Sequence, residues 1–142
     1  MPKPKHSVLI RVHENIYRHS VWFSFGYEWA DKRLQKCLLE TIRLTEEEVS
    51  KCRPRETTGA KWIHSDRTNL SLIWISPNAS AILPAMVHEA IHLSTFILES
   101  RGVPTDNITS EAMAYLVEYY VNEMFYLAGF GKYTHYKENY RP

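Results

Sequence analysis

Apolar and polar residues follow one another along the chain with a changing period, and each change of period marks an element. Residues 7–12 and 20–25 are apolar and β-branched, which predicts two strands across the polar segment 13–19, as a hairpin or as one long interrupted strand. From Glu28 the period becomes helical. Trp29, Leu34, Cys37, Leu38 and Ile42 recur on one face while Asp31, Lys32, Arg33 and Gln35 fill the other, giving an amphipathic helix for the sheet to carry. Thr45 followed by Glu48 is a capping-box signature for a short extra turn, and the breaker-rich residues 53–59 read as a surface loop.

Residues 60–64 and 69–76 flank the turn formers Ser65, Asp66, Arg67 and Thr68, so a second hairpin is expected. In its second strand Leu70, Leu72 and Trp74 alternate with Ile73 and Ile75, a pattern that needs cover on both faces. A helix follows over about residues 83–101, with Pro84 in its first turn and Gly102 as its stop. A last helix runs over about 109–128, carrying the wide stripe Met113, Leu116, Val117, Tyr120, Val121, Met124 and Leu127 and closing at Gly129. The polar, tyrosine-rich tail 131–142 has a pattern that leaves its order undecided. The elements together predict an α+β fold: a small mixed β-sheet packed by one N-terminal helix and followed by two C-terminal helices.

Composition narrows the picture. A chain of 142 residues, 44% hydrophobic, suits one soluble domain spanning residues 1–142. The balance of 17 basic and 16 acidic residues gives a net charge of +1, so no overall field draws nucleic acid or an anionic membrane as a partner. No stretch has the length of a membrane span or the form of a signal peptide, and a cytoplasmic location is expected. Cys37 and Cys52 make neither a CxxC pair nor a disulfide framework, so both read as free thiols, with Cys37 a small core residue. No glycine-rich phosphate loop is present.

The penultimate helix contains the sharpest chemical signal, the run His88, Glu89, Ala90, Ile91, His92, which is an HExxH motif. Two histidines four apart lie about 40° apart around a helix and about 6 Å along it, so both imidazoles can meet one Zn²⁺ ion. Glu89 stands beside them as a general base for an activated water. A catalytic zinc needs a third protein ligand and an open position. Glu99 is about 10 Å beyond His92 on the same helix and is too far. On the last helix Glu111, Glu118 and Glu123 remain. A tight antiparallel return puts a position near Glu118 level with His92, whereas an earlier helix start near Asp106, or a climbing loop, brings Glu111 into range.

The spacing of HExxH, eighteen residues and then Glu111 is similar to that of the gluzincin metallopeptidases. The blocks HEAIH and EAMAYL, within residues 60–128, also resemble a group of small bacteriophage proteins described as zinc-dependent peptidases. The resemblance implies His88, His92 and Glu111 as zinc ligands and Glu89 as general base. It implies hydrolysis of a peptide or protein substrate at a peptide or amide bond, in the host cytoplasm if the chain is phage-encoded. The alternative is a non-catalytic protein-interaction module stabilised by zinc.

Secondary expectations complete the site. Tyr115, Tyr133, His135 and Tyr136 are candidates to stabilise an oxyanion, although packing is the commoner use of such residues. An extended substrate could add to the strand over 69–76 if that strand forms a sheet edge beside the metal helix. His6, His13, His19 and His64 have no partners at ligand spacing and are expected to be ordinary surface or half-buried residues, while Trp22, Trp29, Trp62 and Trp74 read as core contributors.

Overall fold

The computed structural model describes residues 7–55, 57–103 and 110–130. His6, Tyr133, His135, Tyr136 and the rest of the tail lie outside them. Strands β1 (Val8–Glu14) and β2 (His19–Phe25) form an antiparallel hairpin, which settles the choice left open by the polar segment between them. Asp31 caps helix α1 (Lys32–Lys36) by accepting from the Arg33 amide, and the helix continues into a π-helical turn over Cys37–Thr41. The wider turn keeps Leu34, Leu38 and Ile42 on one buried line where an α-helix would carry them around its axis. The capping box forms as expected at α2 (Glu46–Cys52): the Glu48 amide donates to Thr45 Oγ1 at 3.1 Å and the Thr45 amide to Glu48 Oε1 at 3.0 Å.

Strands β3 (Ala60–Ser65) and β4 (Leu70–Ile75) make the second hairpin, and β4 also pairs in parallel with β2. The sheet order is therefore β1-β2-β4-β3, mixed in direction, with β1 and β3 at the edges. Helices α3 (Ile82–Ser100) and α4 (Ser110–Leu127) complete the α+β fold. Both end at a glycine with positive φ, Gly102 at +69° and Gly129 at +85°. At α3 the Val103 amide donates to the Leu98 carbonyl at 2.8 Å and Gly102 to Glu99 at 3.0 Å, so the last carbonyls are satisfied by a turn that only glycine adopts without strain.

The sheet is covered on both faces. Val21, Phe23, Phe25, Ile73 and Ile75 point to α3 and α4, where they join Met86, Leu93, Ile97, Tyr120 and Met124 in one core. Leu72, Trp74 and Ile63 point the other way, to Leu34, Leu38, Ile42 and Val49 of the N-terminal helices. Central β4 is buried on both sides because its alternating residues feed both cores, as its sequence requires. At about 1.5–3 kcal/mol for each fully buried large apolar side chain, these two layers supply the main stabilisation.

The tyrosines of α4 fasten it to the β1–β2 turn. Tyr115 Oη donates to Glu14 Oε1 at 2.8 Å, Tyr119 to the His13 carbonyl at 3.2 Å and Tyr120 to the His19 carbonyl at 3.4 Å. Glu14 is fully buried, and its two oxygens also accept from the Ile16 and Tyr17 amides at 2.7 and 2.6 Å. Arg101, just past α3, donates to the Tyr17 carbonyl at 2.7 Å, so the C-terminal end of α3 and the N-terminal half of α4 meet at the same end of the sheet.

Candidate metal centre

Helix α3 buries Ile82, Met86, Ala90, Leu93 and Ile97 along one stripe and leaves His88 and His92 exposed beside it. The four-residue spacing brings the two rings together edge to face, their planes 76° apart. Their Nε2 atoms are 3.1 Å apart and their centroids 4.7 Å apart. Two nitrogens bonded to a tetrahedral zinc at about 2.0–2.1 Å stand roughly 3.3 Å from each other, so the pair has close to the spacing that a shared ion demands. The donor chemistry fits as well, since neutral imidazole offers one lone pair per ring.

The edge strand holds this pair in place. Trp62 of β3 stacks on the His92 ring, centroids 6.2 Å apart and planes 13° from parallel, and is itself packed on Phe96 at 5.6 Å. The Ser76 amide donates to the Gly59 carbonyl at 2.9 Å, and the alternation of an antiparallel ladder then makes Trp62 and Ile73 a non-bonded pair. The backbone N–H of Trp62 is thus turned away from β4, toward the Glu89 carboxylate of α3.

Glu89 sits between the histidines in sequence but on the inner side of the helix, 6% exposed. Burial pushes its carboxyl above the ordinary glutamate range. The positive charge available to His88 and His92, the Trp62 amide and Lys61 act in the opposite sense. A raised carboxyl next to two ligand-type histidines is the setting in which a glutamate both takes and returns a proton.

The remaining expectations fare differently. Glu111 is exposed in the first turn of α4. One turn later Tyr115 reaches Glu14, at the end of the sheet where Arg101 docks, about 14 Å of helix beyond His92. Among the described residues no three His, Cys, Asp or Glu side chains gather closely enough to hold a metal, so His88 and His92 are brought together and Glu111 is not brought to them. Glu118 is exposed further along α4. The phenol of Tyr115 is engaged with Glu14, and the other oxyanion candidates lie outside the described residues. The sheet edge beside α3 is β3. The expectation that the strand over 69–76 forms that edge is corrected, because β4 is enclosed by β2 and β3.

Two of the histidines expected to be ordinary are partnered. His19 is 1% exposed, and with Ser71 and His64 it forms a row across β2, β4 and β3 on the α3 side of the sheet. Ser71 Oγ is 2.9 Å from His64 Nδ1 and 3.4 Å from His19 Nε2, and Phe96 lies 4.1 Å from the His64 ring. Burial, reinforced by His64, Arg101 and His13, lowers the His19 pKa to about 4, and burial also lowers that of His64. The sequence signal for this row was parity: His19, Ser71 and His64 each fall in step with the inward residues Val21, Ile73 and Trp62 of their strands.

Comparison with family models, curated proteins and solved structures finds no match.

Proposed function

We propose that the chain is a zinc-dependent metallopeptidase acting on a peptide or protein substrate, with His88 and His92 as zinc ligands and Glu89 as general base. The observation that carries this reading is the 3.1 Å approach of two exposed imidazole nitrogens on one helix, with a buried glutamate between them in sequence. Zinc, when bound, supplies a lowered pKa for water and polarisation of the scissile carbonyl. Glu89 accepts the proton from the attacking water and delivers it to the leaving amine nitrogen. Trp62 fixes the His92 ring, and the open edge of β3 offers backbone groups to an extended substrate.

The spacing from the motif implies Glu111 as third ligand, with Glu118 as its rival, although among the described residues neither gathers with the histidine pair. Two free cysteines agree with work in a reducing cytoplasm, and no helix among the described residues is long and apolar enough to cross a membrane.

Metal analysis is the direct test. Purified protein should carry about one zinc per chain. The Glu89→Gln variant should keep it while losing hydrolysis of a mixed peptide library. Glu111→Gln should release it and Glu118→Gln should not; loss in Glu118→Gln alone would move the third-ligand role to that residue. Full metal retention in both His88→Ala and His92→Ala would end the proposal.

A further inference from the structure

A cleft of about 940 Å³ opens at the other end of α3, where β4 runs out and the helix begins. Trp29 and Trp74 line it with Arg53 and Arg55 from the loop before β3, and Pro84 and Ala85 from the first turns of α3. The two indoles meet edge to face at 5.6 Å, and the Trp74 N–H is already taken by the Tyr27 carbonyl at 2.8 Å. One part of the wall is therefore a preformed aromatic surface, mainly that of Trp29, since Trp74 is 4% exposed. Glu28 also faces the cleft, and its carboxylate accepts from Asn78 Nδ2 at 3.3 Å.

The two guanidinium groups are exposed, and neither forms an ion pair with a described residue. Two cations and an indole lining one cleft suit a carboxylate attached to an apolar stem, which a guanidinium can grip through two parallel hydrogen bonds. Position adds a second argument. Pro84 and His88 are four residues apart on α3 and both exposed, so the cleft lies about one helical turn from the histidine pair on the same face. Gly59, which also lines the cleft, leads directly into β3, so a chain lying along the β3 edge past Trp62 runs into the cleft at one end.

We infer that this cleft is a carboxylate-binding subsite, through which Arg53 and Arg55 select peptides that place a carboxylate there for the His88–His92 centre. The inference rests on the peptidase reading for its link to cleavage, and on the cleft alone for its ligand. The carboxylate can come from an acidic side chain or from the C-terminus of the peptide.

The test is a titration of the ¹⁵N-labelled full chain, following the Trp29 indole signal, assigned with Trp29→Phe. Four probes are added in turn: N-acetylglutamate α-amide, N-acetylalanine and the neutral amides N-acetylglutamine amide and N-acetylalanine amide. The expected result is a saturable shift with a carboxylate probe, about tenfold tighter than with its neutral counterpart, and lost in Arg53→Gln/Arg55→Gln with an unchanged melting temperature. A response to the glutamate probe alone assigns the site to acidic side chains, and a response to N-acetylalanine alone assigns it to a free C-terminus. No saturable shift, equal shifts with the neutral amides, or a shift that survives the double variant would overturn the inference. Zinc content of the same sample keeps the two proposals apart: carboxylate binding without zinc removes the link to cleavage, while zinc without carboxylate binding removes the subsite.

Discussion

Two pairs of histidines lie close together in this protein and do opposite things with the same side chain. His88 and His92 are exposed, share one helix and turn their Nε2 atoms toward each other at 3.1 Å. His19 and His64 come from different strands, are covered by Phe96, and turn their nitrogens to the hydroxyl of Ser71. A hydroxyl has one hydrogen and can also accept, so it serves one ring as donor and the other as acceptor and holds both neutral. The α3 pair has no such mediator between its rings, and its facing lone pairs suit a cation. The difference lies in what stands between two imidazoles: a hydroxyl ties the strand pair into the core, and without one the helix pair faces itself, as the proposed zinc site requires.

Metal content gives the largest separation between the pairs. His92→Ala should lower bound zinc at least about tenfold, whereas His64→Ala should leave it unchanged, measured by elemental analysis of purified protein. Equal loss in both would merge the two pairs into one site.

Acid stability comes next. His19 binds a proton at an ordinary pKa of 6.5 when unfolded and at about 4 when folded, so the unfolded state takes up more protons across that window. Stability is therefore full above pH 6.5 and falls as the pH drops toward 4, by about 3 kcal/mol from this residue, with His64 acting in the same direction. Urea unfolding at stepped pH measures it, and His19→Gln should flatten the slope.

A smaller effect is expected from Ser71→Ala, which removes the shared hydroxyl and leaves two covered ring nitrogens without it, at about 1.5 kcal/mol and with zinc retained. The least is expected at His13, exposed on the opposite face of the sheet, with a 2.7 Å contact to Ser20. His13→Ala should change the unfolding free energy by less than about 0.5 kcal/mol.

The local parts of the architecture could be read directly. Thr45 and Glu48 specify their capping box within four residues, Gly102 and Gly129 stop helices that their own backbones close, and the inward and outward alternation of β4 announces a strand covered on both sides. The histidine pair was legible for the same reason, because four residues of α-helix leave little freedom in where two rings go. Strand order was not. Nothing local to residues 69–76 says that β2 will take one side of that strand and β3 the other, since the parallel pairing joins residues fifty apart, such as Val21 and Ser71. The edge beside α3, the partners of His19 and the commitment of the Tyr115 phenol to Glu14 all depend on that long-range order. The cleft escaped notice too, since Trp29, Arg53 and Pro84 come from three separate segments.

The three tyrosine bonds from α4 to the first hairpin also bear on when this protein can fold. Tyr115 and Glu14 are 101 residues apart, Tyr119 and His13 are 106, and Tyr120 and His19 are again 101. Loops of that length must be closed before these contacts return any free energy, so they belong to the late, slow part of assembly. During synthesis the first hairpin leaves the ribosome with Glu14 uncovered and its α4-facing side bare, and it waits for about a hundred further residues. The hairpin is thus made before α4 and completed only with it.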